Sequence, residues 1–346
     1  LASILPIQRH HDLEQLSRAE LFSTRLCDLN LSVRGSWVEA CLDELQSELK
    51  QRQLAIRPRF WLSTEWFTPA SGTGIAVPFY LTHPRLMRLE RTQMFEVDGG
   101  SVRNCMKILR HELGHVVQHA FRLHRRRNWQ RTFGHSATPY PEIYRPDPTS
   151  QAFVRHLDNW YAQSHPDEDF AETFAVWLSP KSNWKRRYSR WPSAYRKLHY
   201  VDQLMKELAR RKPTHTNPRP VEPLRSLTLT LADYYRLKRA HYRPDGLPIF
   251  DRQLVRIFPR QPITVRSRPA VDFLSQRRSK LRQIAVDQIG LDHTLADLLL
   301  DTMIRRSRLL KLFFRGKESE VTRRCAALLS RSAQHYTRRR QLRIPL

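Results

Sequence analysis

Two histidines stand four residues apart in the stretch ILRHELGHVVQHAF, residues 108–121, and a glutamate follows the first. On a helix, residues i and i+4 lie one above the other, so His111 and His115 would project two imidazoles toward one point. One metal ion can meet both. Glu112 is rotated by about 100° from His111 and can reach a water at that ion. Two nitrogen ligands and a carboxylate base are the components of hydrolysis through an ion-activated water. The competing reading is a pair of surface histidines on a basic helix. Ile108, Leu109, Val116 and Val117 argue against it, because they make the helix a buried one.

An open zinc site needs a third protein ligand. His119 would lie roughly 12 Å from His111 by helix rise, too far to share an ion. His135, in RTFGHSATPYP, belongs to a loop. Glu168 and Glu172, in HPDEDFAETF, are again four apart and share one helix face. One carboxylate can bind the ion while the other accepts the free N–H of a ligand histidine. The preferred assignment takes Glu168 as the ligand and Glu172 as its support, with Glu172 or His135 as alternative ligands. An acidic first turn that complements the helix dipole would explain Asp167 to Asp169 equally well. It explains less well a second glutamate in the largely apolar run from Phe170 to Leu178.

HELGH followed by a helix bearing E-D-F-A-E resembles the gluzincin metallopeptidases. The run His165-Pro166-Asp167-Glu168-Asp169-Phe170-Ala171-Glu172-Thr173 is most similar to the bacterial family called "putative zinc-binding metallopeptidase". The wider resemblance spans about residues 25–180. It includes RLCDL, RPRFWLSTEWF, GIAVPFYL and WYAQSHP. It implies one catalytic Zn2+ held by His111, His115 and Glu168, with Glu112 as general base in peptide-bond hydrolysis. The tyrosine seven residues before the first glutamate is similar to one in the anthrax lethal factor catalytic domain. By that resemblance Tyr161 would donate its hydroxyl to the oxyanion. From the residues alone it is merely a tyrosine near the site, a type that packs more often than it catalyses.

The elements that must position these groups can be read around them. Ser36-Trp37-Val38-Glu39 reads as a capping box opening a helix to about Gln53. IRPRFWLS (56–63) and GIAVPFYL (74–81) read as strands, the second an edge strand on which an extended peptide could pair. TQMFEVDGG (92–100) reads as a third strand. Ser101 can cap the helix that carries His111 and His115. Pro166 and Asp167 open the glutamate helix, which stops before Pro180. Four prolines in RRKPTHTNPRPVEP (210–223) suggest a linker. The expectation is an α+β protein. A zincin-like domain with a small N-terminal mixed sheet and an active-site helix covers 1–211. A linker at 212–225 and a basic, mostly helical region at 226–346 follow.

Charge supports that division. The chain has 346 residues and a formal net charge of +27. Residues 1–100 are nearly neutral, with 11 basic and 12 acidic side chains, whereas 201–346 carry 32 and 13. A field of that sign favours nucleic acid or other polyanions. The second functional class is therefore a binding protein for nucleic acid or an anionic surface, acting through 226–346 and carrying a structural or vestigial zinc site. A protease recruited to nucleic acid combines the two. Four scattered cysteines without a CxxC pair exclude a zinc ribbon and fit a reducing compartment. No run approaches the length of a membrane span, and residues 1–25 lack a signal-peptide pattern, so the expected location is cytoplasmic.

Overall fold

The computed structural model describes residues 13–339 apart from 95–96, 142, 145, 148, 181, 242–247, 263–266 and 288–292, together with 344–345. The chain divides into two compact units. The first comprises residues 1–137 and 166–243, and the second comprises 138–165 and 244–346.

In the first unit the elements run α1 (Arg18–Ser23), α2 (Trp37–Gln51), β1 (Arg59–Ser63), β2 (Gly74–Pro78), α3 (Pro84–Met94), α4 (Val102–Ala120) and α5 (Arg127–Phe133). After the excursion into the second unit come α6 (Pro166–Leu178), α7 (Trp184–Arg187), α8 (Pro192–Leu208) and α9 (Leu231–His241). The second unit holds a short antiparallel pair, β3 (Ile143–Tyr144) with β4 (Ile344–Pro345). It also holds α10 (Pro248–Ile257), α11 (Ala270–Gln276), α12 (Arg278–Asp287), α13 (His293–Leu309) and α14 (Glu318–Arg339). The fold is α+β and helix-rich. The helical reading of 270–338 agrees with α11 to α14, which close over a core of Phe258, Phe273, Leu274, Leu300, Met303 and Leu328.

The sheet is smaller than expected. β1 and β2 pair in parallel, from Arg59 opposite Gly74 to Ser63 opposite Pro78. The only other strand-like contact on β2 is an antiparallel bridge from Phe67 to Ala76, among the described residues. The expected third strand at 92–100 is not formed as read. Residues 84–94 are helical, because Pro84 suits a first helical position and Leu86 and Glu90, four apart, turn to one buried face. Residues 95–96 lie outside the described residues, and Val97 to Gly100 form a turn in which Gly99 takes a positive φ of 73°. The capping box at Ser36 is also absent. Ser36 donates to the Val33 carbonyl, and Glu39 accepts from the Gly35 N–H. A complete box forms instead at Ser17 and Glu20.

α4 lies between α2 and α6, and α8 covers α6 on another side. Ser101 caps α4 through the Asn104 N–H, as read. Every residue of α6 from Glu168 to Leu178 is buried. Its aromatic side, Phe170, Phe174 and Trp177, continues into Trp129 and Phe133 of α5. Where α4 meets α6 the backbones touch. A Cβ on Gly114 would sit 2.7 Å from the Ala171 Cα and 3.1 Å from its carbonyl oxygen.

The division between units falls after Arg243 and not in the proline-rich stretch, for a visible reason. That stretch is stitched to the first unit. Thr214 and His215 donate backbone N–H groups to the Ala120 carbonyl at the end of α4. Asn217 exchanges bonds with Thr73, and Trp61 and Ser63 donate to the carbonyls of Val221 and Glu222. Beyond it, α9 buries Lys238 between Glu65 (2.9 Å) and Glu90 (3.0 Å).

Gly114→Ala tests the helix contact. Alanine favours a helix interior by about 1 kcal/mol over glycine. Overpacking against a backbone costs about 1–3 kcal/mol. The expected result is a lower thermal midpoint, read by circular dichroism. A stabilised protein would mean that α6 can yield at Ala171.

Candidate metal centre

The close approach at Gly114 lets short carboxylate side chains cross from α6 to α4. His111 Nε2 lies 3.0 Å from Glu168 Oε2, His115 Nε2 lies 3.2 Å from the same oxygen, and the two imidazole nitrogens are 3.2 Å apart. This is the only group of three or more potential ligands with metal-like spacing among the described residues. Bonds of about 2.0–2.1 Å to a tetrahedral zinc hold its ligand atoms about 3.3–3.4 Å apart. The triangle is therefore the right size for one ion.

Its chemistry asks for a cation as well. Glu172 Oε1 lies 2.9 Å from His111 Nδ1 and accepts that N–H. The Nε2 lone pair of His111 then faces a carboxylate oxygen and a second imidazole nitrogen. With neutral rings these groups mostly oppose acceptor to acceptor, and all three residues are largely or wholly buried. Burial alone would lower the His111 pKa, but hydrogen bonds and charge from Glu168 and Glu172 hold it well above the ordinary value. His115 is raised in the same way, chiefly by Glu168 acting against burial. Burial would raise Glu168, yet the two imidazoles hold it well below the carboxylate range.

Glu112 sits beside this triangle, buried, with one carboxylate oxygen 2.9 Å from the Thr68 hydroxyl. The rest of the helix is anchored around it. Arg110 forms a two-pronged ion pair with buried Glu48 of α2. Gln118 donates to Asp167, which also accepts from Ser136. On α6, Asp169 is paired with Lys197 of α8 at 2.6 Å. Sequence reasoning found none of these partners, because each couples residues at least 28 positions apart with no motif spacing between them.

The other expected residues fall elsewhere. His119 donates from Nδ1 to the Gly72 carbonyl at 2.9 Å, and burial lowers its pKa to about 4. His135 is outside the triangle. Tyr161 belongs to the second unit, in the 3-10 turn Asp158–Gln163, with its ring edge-on to Tyr144. β2 is not available as an open edge strand. All five of its residues are buried, and the Ala76 N–H already donates to the Phe67 carbonyl.

A two-histidine, one-glutamate triangle on paired helices is the arrangement to set against known families. Residues 87–187 match the profile of a family described as "Putative zinc-binding metallo-peptidase". The matched stretch contains α4 and α6 entire, and so all three candidate ligands and Glu112. No curated protein and no solved structure matches the chain. Among the described residues, no helix is long and apolar enough to cross a membrane.

Zinc binding should separate the two glutamates. Glu168→Ala is expected to lose the ion. Glu172→Gln should keep it with affinity about 10–100-fold weaker, as for other partners of ligand histidines. Zinc must also displace protons from imidazoles whose pKa is raised, so affinity should fall as pH is lowered through the neutral range. Ordinary histidines, at about 6.5, would leave it flat above about pH 7.5. Competition against a chelator between about pH 6.5 and 8.5 reads both effects. Stoichiometric zinc in Glu168→Ala would transfer the ligand role to another residue.

Proposed function

We propose that this protein is a zinc-dependent metallopeptidase of the gluzincin type. The observation that carries the reading is the closed triangle of His111, His115 and Glu168 with Glu112 next to it on the same helix. The family profile over residues 87–187 supports it. His111, His115 and Glu168 would hold one zinc, and Glu172 fixes the tautomer of His111. Zinc, when bound, supplies a Lewis acid that acidifies water and polarises a carbonyl. Glu112 takes a proton from the attacking water and returns it to the leaving amine. An extended peptide would pair with the segment Trp66–Thr68. Phe67 bonds inward to Ala76 there, and the backbone groups of Trp66 and Thr68 have no backbone partner among the described residues.

Glu112→Gln should retain zinc and lose hydrolysis of fluorescein-labelled casein by at least about a hundredfold. Turnover at the wild-type rate in that variant would end the peptidase reading.

A second reading is favoured by the ion pairs of the basic helices. Asp251, Asp297, Asp301 and Glu318 are each held by arginines of that unit, Arg306, Arg278, Arg282, Arg268 and Arg277. Acidic groups are thus neutralised internally in a region with a large basic excess. The second unit would dock the protein on nucleic acid. Binding of the full chain to single-stranded RNA should weaken steeply as salt is raised from about 50 to 200 mM. Absence of binding even at low salt would remove this role.

A further inference from the structure

A general base must do more than sit near a water. Its carboxylate needs one fixed rotamer, with one oxygen turned to the water, and a glutamate side chain has three torsions to settle. At Glu112 a single side chain does this. The Thr68 hydroxyl lies 2.9 Å from Glu112 Oε2 and 3.1 Å from the Glu112 main-chain carbonyl oxygen. It is the only hydrogen-bond donor to that carboxylate among the described residues. Thr68 itself is held firmly. Its neighbour Phe67 accepts the Ala76 N–H at 2.9 Å, and Ala76 is wholly buried in β2. The β-branched side chain leaves Thr68 few χ1 choices. The sheet therefore sets the hydroxyl, and the hydroxyl sets the carboxylate.

We infer that Thr68 is the positioning residue for Glu112. It ties up Oε2 and leaves Oε1 for the proton in transfer. It also carries the geometry of the sheet edge to the base, so that the segment on which a peptide would lie and the group that activates water move together. The inference rests on the peptidase reading. Its competitor is a purely structural hydroxyl that only satisfies the Glu112 carbonyl.

Thr68→Val keeps the shape and removes the donor, and Thr68→Ser restores it. Both should bind one zinc per chain. On fluorescein-labelled casein, Val should lower kcat about ten- to hundredfold with KM little changed, and Ser should recover most of the loss. A second readout needs no turnover. In cobalt-substituted protein, acetohydroxamate binding gives a visible spectral change, and the probe gives up a proton that Glu112 can accept. Its affinity should fall about tenfold or more in Val, recover in Ser and fall in Glu112→Gln. Wild-type behaviour of Val in both assays, or equal impairment of Val and Ser, overturns the inference. Hydroxamate results as expected from a wild type that cleaves no casein would uphold the role of Thr68 and sink the peptidase reading instead.

Discussion

The contact between Gly114 and Ala171 sets the terms for everything around it. With no Cβ on Gly114, α4 and α6 approach until backbone meets backbone. Only at that distance can Glu168 and Glu172, which project from a helix buried from Glu168 to Leu178, end against His111 and His115. A wider separation would leave two carboxylates in an apolar interior without partners, which is far more costly than a lost methyl contact. The glycine inside HELGH is thus part of the site, although it offers no ligand.

The charges on α6 follow from the same constraint. Glu168, Asp169 and Glu172 lie within about one helical turn, all buried. They are answered from two elements: Glu168 and Glu172 by the imidazoles of α4, and Asp169 by Lys197 of α8. Burial pushes the Asp169 carboxyl up to about 7 despite Lys197, whereas Glu168 is held well below its ordinary range. The difference is that Glu168 faces two imidazoles of α4, at 3.0 and 3.2 Å, whereas Asp169 has, among the described residues, the Lys197 ammonium alone. This part of the molecule tolerates its negative charges only because the helix packing brings cationic groups to them.

Much of this was legible in the sequence, and what was not has a physical cause. The i, i+4 spacing of His111 and His115, and of Glu168 and Glu172, is local information, so both helices and the pairing of their residues could be read directly. The cap at Ser101 is local too. The stretch 92–100 was expected as a strand, but the helix that opens at Pro84, with Leu86 and Glu90 buried together, runs on to Met94. The box at Ser36 failed because its hydroxyl and the Glu39 carboxylate found nearer partners. Thr68, Glu48 and Lys197 were invisible for another reason: their roles exist only through contacts far away in sequence. Proline content pointed to a linker at 210–223, yet proline removes donors without removing acceptors or the neighbours' N–H groups. Those remaining groups bind the first unit.

That last feature decides how this protein can be cut into parts. A fragment ending at 211 would strip Ala120, Thr73, Trp61 and Ser63 of main-chain partners and expose Glu65 and Glu90 without Lys238. The proline-rich stretch behaves as a strap, fastened at the C-terminal end of α4 and at the start of β2. The smallest self-sufficient piece that carries the candidate metal centre therefore extends through α9, and trimming at the apparent linker removes a wall of the domain.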